Sequence, residues 1–290
     1  MFIRDMLNND KVTVSFEVFP PKADSSFDVV KSAIGELNGL HPDYMSVTYG
    51  AGGSTSKRTA DIASHIQNEL GTNALAHLSC IAATRGQISE QLKKLKNAGI
   101  ENILALRGDI PENGVLPEGM EYHYAWQLVE EIKKVGGFCV GAACYPEGHV
   151  ECLNKTKDLD YLKQKVDCGC DFLVTQMFFD NNVLYTFLYN ALKAGIEIPV
   201  TAGIMPVTNS KQISKICSLS GTSLTPKFRA ILDKFGDNPA ALKQAGIAYA
   251  VDQIVDMVSN GIKGIHVYTM NKPDVAKSIL NSLSAVLGRD

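Results

Sequence analysis

The 290-residue chain lacks most of the marks of a secreted, membrane-bound or metal-dependent protein. It has no CxxC pair, which argues against a zinc ribbon. Its seven cysteines (Cys80, Cys139, Cys144, Cys152, Cys168, Cys170 and Cys217) are an odd number with no disulfide framework, as in a reducing compartment. No apolar run approaches the ~20 residues of a membrane span. The opening MFIRDMLNNDK has no signal-peptide core. A cytoplasmic protein without membrane association is expected. The net charge is only -3, with both signs interspersed, so no nucleic-acid partner is expected. No HxH closes a strand and no histidines stand at i, i+4, so no metal site is expected. A lysine at a strand end, as a Schiff-base aldolase needs, and GxSxG are both missing. Chemistry that depends on an organic cofactor remains.

What is present is ordinary globular composition, 45% hydrophobic and 20% charged. Short apolar, β-branched runs alternate with amphipathic stretches. Strands are predicted at Val12–Val18, Asp43–Thr48, Ala74–Cys80, Asn102–Arg107, Phe138–Ala143, Phe172–Gln176, Ile198–Ile204 and Gly264–Tyr268. Helical spacing falls between them, as at Ser26–Leu37, Ile88–Ala98 and Pro239–Val258. The first six strand-helix units repeat about every 30 residues, the length of a βα unit. Eight such units without a linker predict a (β/α)8 TIM barrel, an α/β fold, in one domain over residues 1–290. The last step is about twice as long, so an extra helix is expected before the final strand.

In the first strand Val12, Val14, Phe16 and Val18 share one face, and Thr13, Ser15 and Glu17 share the other. Six consecutive strands finish near a polar side chain: Glu17, Thr48, His77, Asp109, Tyr145 and Gln176. Barrel enzymes build their sites at that end of the strands.

Each motif has a chemical and a structural reading. Within SFEVFPPK, Glu17 is either a general acid with its neutral form favoured by apolar neighbours or a salt-bridged strand end. SVTYGAGGST is a glycine-rich turn that either admits a phosphate or flat ring or is only a turn. In LALRGD, Arg107 either pairs with Asp109 or addresses a ligand. YPEGH sets Tyr145 and His149 on one loop, for stacking and phosphate binding or for solvent. In VTQMFFD, Gln176 suits an amide-like heterocycle, whereas Met177, Phe178 and Phe179 read as packing. Gln212 opens a helix, facing either the mouth or solvent.

SFEVFPPK, SVTYGAGGST, HLSC, LALRGD, YPEGH, DFLVTQMFFD and AGIMPVTNSKQ occur in that order, followed by HVYTMNK. The series resembles the motifs of the methylenetetrahydrofolate reductases, in their short bacterial form, over nearly the whole chain. The resemblance implies FAD held noncovalently at the barrel mouth and ping-pong hydride transfer from NADH or NADPH to 5,10-methylenetetrahydrofolate. Glu17 would be the acid at folate N10, with Asp109 between flavin and folate. Gln176, Gln212 and Lys272 would contact folate, and Gln176 would contact nicotinamide in the other half-reaction. Thr48 would position the nicotinamide. Tyr49, Ala51, His77, Arg107, Gly108, Ala125, Tyr145, His149, Asp158 and Lys165 match flavin-contacting positions. A homo-oligomer is expected.

Three places depart from the pattern. Lys272 replaces an arginine, Tyr161 and Gln164 replace polar or basic residues, and Ile216 stands where relatives carry an aromatic. The last keeps open an alternative in which the chain is the flavin subunit of a larger complex fed by a redox partner.

Overall fold

A computed structural model describes residues 1–21, 27–49, 56–81, 83–110 and 120–289. Eight parallel strands close into a barrel in sequential order. They are β1 (Thr13–Val18), β2 (Tyr44–Val47), β3 (Asn73–Ser79), β4 (Asn102–Leu106), β5 (Cys139–Cys144), β6 (Phe172–Thr175), β7 (Val200–Ile204) and β8 (Gly264–Tyr268). All eight expected strands are found, each boundary within two residues of expectation. β1 pairs with both β2 and β8, which closes the ring.

A short helix α1 (Ile3–Leu7) precedes β1. The helices between strands are α2 (Phe27–Asn38), α3 (Ser56–Ser64, extended by a π turn at His65–Glu69), α4 (Arg85–Asn97), α5 (Ala125–Val135), α6 (Lys155–Asp167) and α7 (Asn181–Lys193). The β7-to-β8 step carries α8 (Ser210–Ser220), α9 (Pro226–Phe235) and α10 (Pro239–Ser259), and α11 (Pro273–Leu283) follows β8. The long last step therefore holds two helices beyond the usual one. Each of the three starts on a side-chain cap, from Asn209, Thr225 and Asn238. Together they have their own apolar cluster: Phe228 and Tyr249 pack on Met177 and Phe179, with Val207 and Ile213. The reading of Met177, Phe178 and Phe179 as packing holds, because all three are buried.

The strand faces divide as their period of two requires. Val14, Phe16 and Val18 pack outward against α2 residues Val30, Ile34 and Leu37. Inside the barrel, the lower end is filled by Tyr44, Leu75, Leu104, Cys139, Phe172 and Val174 and stoppered by Ile3, Met6 and Leu7 of α1. Among the described residues no helix is long and apolar enough to cross a membrane. All seven cysteines are free thiols.

Candidate active site

Above that apolar plug, the inward positions of β1, β2, β3 and β8 become polar. Glu17 is the fifth residue of β1 and is buried, at 7% exposure. Its neighbours Phe16 and Val18 point away into the outer core, so they do not form its surroundings. The carboxylate instead faces two imidazoles: Oε2 lies 3.7 Å from His77 Nε2 and 3.8 Å from His266 Nε2. This corrects the expected apolar environment of Glu17. Beneath it, Ser15 Oγ and His266 Nδ1 share a 2.7 Å hydrogen bond, and Ser46 Oγ lies 3.3 Å from His266 Nε2. Burial pushes the His77 imidazole down to about 4; the Glu17 charge opposes this shift and His266 adds to it. His77 is thus neutral near pH 7. Its buried Nε2 has no hydrogen-bond partner.

The loop after β8 fixes the end of β1. Thr269 donates to the Glu17 carbonyl at 2.7 Å, while the Asn271 side chain both accepts from Phe19 N–H and donates to its carbonyl, each at 2.9 Å. Tyr268 crosses the barrel to donate to the Thr175 carbonyl at 2.6 Å. Its ring has room because β7 offers Gly203: a Cβ there would collide with both the Tyr268 hydroxyl and the Thr175 carbonyl.

Around the rim, Arg107, Gly108 and Asp109 follow β4, and Asp109 is exposed. Gly108 sits at φ +93, and a Cβ there would run into Ser79 Oγ. Arg107 does not pair with Asp109. Its guanidinium forms a bidentate fork with Glu151, both N–O distances 2.6 Å, which holds the arginine in its charged form. Tyr145 and His149 meet edge to face, centroids 4.6 Å apart. Burial pushes the Tyr145 phenol up to about 12. Asp158 accepts from His149 N–H at 3.2 Å, and Lys165 Nζ donates to the Ala143 carbonyl at 2.6 Å. Burial lowers the Lys165 pKa. Lys165 therefore turns inward toward β5, and Asp158 toward the loop that follows it. Tyr145, Gly148 and Asp158 also line a cleft of about 250 Å³ toward α7.

Thr48 lies just past β2 and its carbonyl accepts from Thr59. Tyr49 and Ala125, the first residue of α5, are half-buried. Gln176 follows β6 and accepts from Met177 N–H through its own side chain. Gln212 and Ile216 line a second, small cleft together with Met270. Lys272 donates to Thr208 at 2.7 Å. Ala51 and the rest of the turn at 50–55 lie outside the described residues. Sequence reasoning missed His266 and Glu151. His266 was available from parity, since His266 and Tyr268 alternate with Val267 as Ser15 and Glu17 alternate with Phe16. Nothing local marks Glu151 as the partner of a residue 44 positions away. Among the described residues, no three His, Cys, Asp or Glu side chains cluster as metal ligands would.

The family model for methylenetetrahydrofolate reductase matches residues 2–284. The chain belongs to that family. Methylenetetrahydrofolate reductases are oxidoreductases, and this member resembles several named relatives over most of their length. A 5,10-methylenetetrahydrofolate reductase of Pectobacterium carotovorum subsp. carotovorum is 34% identical, covering 94% of this chain and 90% of the relative. That of Escherichia coli K12 is also 34% identical, covering 97% and 95%. A rice protein named probable methylenetetrahydrofolate reductase (NADH) is 32% identical over 98% of this chain and 50% of its own length, so the chain spans half of that protein. Among solved structures, an uncharacterized protein from Clostridium thermocellum, described as binding two copies of 5-methyl-5,6,7,8-tetrahydrofolic acid, superposes with a TM-score of 0.70 at 13% identity, covering 98% of each chain. At that identity the likeness speaks for the barrel of the reductase, not for its ligands.

Proposed function

We propose that the chain reduces 5,10-methylenetetrahydrofolate to 5-methyltetrahydrofolate, with FAD at the barrel mouth, NADH or NADPH as donor, and residues 1–290 as one catalytic domain. The observation that carries this reading is Glu17, a buried carboxylate set between two imidazoles inside the mouth of a barrel of this family.

The residues present suit a flavin dinucleotide. The unpartnered His77 Nε2 leaves one buried polar atom to satisfy. Lys165 brings a cation toward the rim, whereas the Arg107 guanidinium is already held by Glu151, so a diphosphate would have to share it. Tyr49, Ala51, His77, Arg107, Gly108, Ala125, Tyr145, His149, Asp158 and Lys165 would hold the cofactor. When bound, the flavin supplies a two-electron carrier that takes a hydride from the nicotinamide and delivers one to the folate carbon.

The chain's own groups handle protons and charge. Glu17 donates its proton to N10 of the folate, and the N10–CH2 bond breaks. The five-membered ring opens to a 5-iminium cation, which accepts the hydride. Asp109 contributes a negative charge that favours this cation. Gln176, Gln212 and Lys272 orient the folate, Lys272 as a point charge without an arginine's planar fork. Thr48 positions the nicotinamide. The free thiols agree with a cytoplasmic setting.

The test is an absorption spectrum. Purified protein is expected to be yellow, to bleach anaerobically with NADH or NADPH, and to recover colour with methylenetetrahydrofolate. Colourless protein that takes up no FAD would overturn the assignment. Bleaching without any second protein would reject a redox partner subunit as the obligatory donor.

A further inference from the structure

β1 ends at Val18, and Pro20 and Pro21 follow one residue later. Proline has no N–H, so Phe19 carries the last backbone donor before the strand line stops. The register sets Glu17 beside Tyr268, the last residue of β8, so Phe19 falls opposite Met270, where β8 has already turned away. The Asn271 side chain takes the vacant place. Its amide oxygen accepts from the Phe19 N–H and its amide nitrogen donates to the Phe19 carbonyl, both at 2.9 Å. Two residues earlier in the same loop, Thr269, at 1% exposure, donates to the Glu17 carbonyl at 2.7 Å. The backbone that carries Glu17 is thus held at its own carbonyl and again at both polar groups of Phe19.

The loop needs an uncommon backbone to do this. Met270 and Asn271 are both left-handed, at φ +52 and φ +54. Asparagine adopts that region readily, whereas methionine rarely does, and two such residues in a row are rarer still. Backbone of this kind persists where its surroundings over-determine it, and it gathers at functional sites. The surroundings here reach the substrate side as well. Met270 lines the small cleft beside Gln212 and Ile216, and Lys272 Nζ donates to Thr208 Oγ1, on the approach to α8, at 2.7 Å.

We propose that Asn271 is a positioning residue for the acid: its amide replaces the missing strand at Phe19 and so fixes where the Glu17 carboxyl stands in the mouth. This rests on the reading of Glu17 as the acid and adds to it what holds the acid in place. Asn271 touches no reacting atom and works only through the backbone of β1. The amide suits the task because it both accepts and donates, as a neighbouring strand does; a carboxylate or a hydroxyl does not offer that pair in one plane. Position matters here because a group displaced by about 1 Å from its reacting partner loses about a hundredfold in rate.

The test compares the two half-reactions of flavin-loaded, full-length protein. Asn271→Gly keeps the left-handed backbone and removes only the amide. Its folate half-reaction should slow about ten- to a hundredfold at saturating folate, with flavin reduction by NADH or NADPH within about twofold of wild type. The double variant Glu17→Gln, Asn271→Gly should be no slower than Glu17→Gln alone, because a residue that acts through the acid then has nothing left to position. Apart from any activity, the Phe19 amide of the flavin-free protein should exchange with deuterium about tenfold faster in Asn271→Gly, the equivalent of one net hydrogen bond. Equal slowing of both half-reactions, additive losses in the double variant, a folate step at wild-type speed or an unchanged Phe19 exchange rate each overturns the assignment. A Glu17→Gln protein that reduces folate as fast as wild type overturns instead the acid reading on which it rests.

Discussion

The two halves of the barrel interior are built from the same eight strands and have opposite characters. The lower half holds Tyr44, Leu75, Leu104, Cys139 and Phe172 against α1, a dry plug of interlocking side chains. The upper half holds Ser15, Glu17, Ser46, His77 and His266, all buried and all polar. Polar burial is costly unless every group is partnered, and here one imidazole nitrogen is not. The lower half is where the fold gains stability, and the upper half is where it spends some of it. Tyr44 marks the boundary: its ring stacks on His266 at 6.1 Å, while its buried hydroxyl has no hydrogen bond.

Substitutions on either side should behave as opposites. The largest expected effect is on chemistry in the upper half. Glu17→Gln should slow the folate half-reaction about 10²- to 10⁴-fold while flavin reduction by NAD(P)H persists, measured by rapid mixing of each half-reaction. Equal loss in both would remove Glu17 from the acid role and erase the contrast. In the lower half, Phe172→Ala should destabilise by about 3–5 kcal/mol in denaturant unfolding while activity per folded molecule is kept. A large activity loss in stable Phe172→Ala protein would mean that the plug also shapes the site.

The next effect is a pH dependence. His77 titrates near 4 when folded and near 6.5 when unfolded. Below pH 6.5 the unfolded chain takes up a proton that the folded chain refuses, so stability falls as pH drops toward 4. At pH 5 the loss is roughly 2 kcal/mol. Unfolding free energies of wild type and His77→Asn at pH 7 and pH 5 measure it; an equally steep fall in both removes His77 as the cause. The smallest effect is on the rim. Glu151 is nearly half exposed, so Glu151→Gln should cost under about 1 kcal/mol in spite of the bidentate fork. A larger cost in the same unfolding assay would show that this pair braces the mouth.

Much of this was legible along the chain. The eight strands announced themselves through short β-branched runs, and the two faces of β1 through strict alternation. Glu17 at the mouth followed from both. The surroundings of Glu17 did not, because sequence neighbours in a strand point to opposite sides and the side chains that face it come from β3 and β8. The extra helices before β8 were visible only as excess length. Their number and their cluster on Met177 and Phe179 depend on contacts between segments about 50 to 70 residues apart. Of the two readings of Arg107, pairing with Asp109 fails, since the nearest carboxylate in sequence is not the nearest in space and the guanidinium takes Glu151 instead.

By itself the sequence determined the periodicities, hence the strands, the helices and the barrel they close into, and the order of motifs that mark the family. These are local or additive properties, written in spacing. Only the tertiary structure decided which polar groups share the mouth: that Glu17 meets His77 and His266, and that Arg107 takes Glu151. Closing a sheet into a ring brings together side chains from strands far apart in the chain, and no local pattern encodes that meeting.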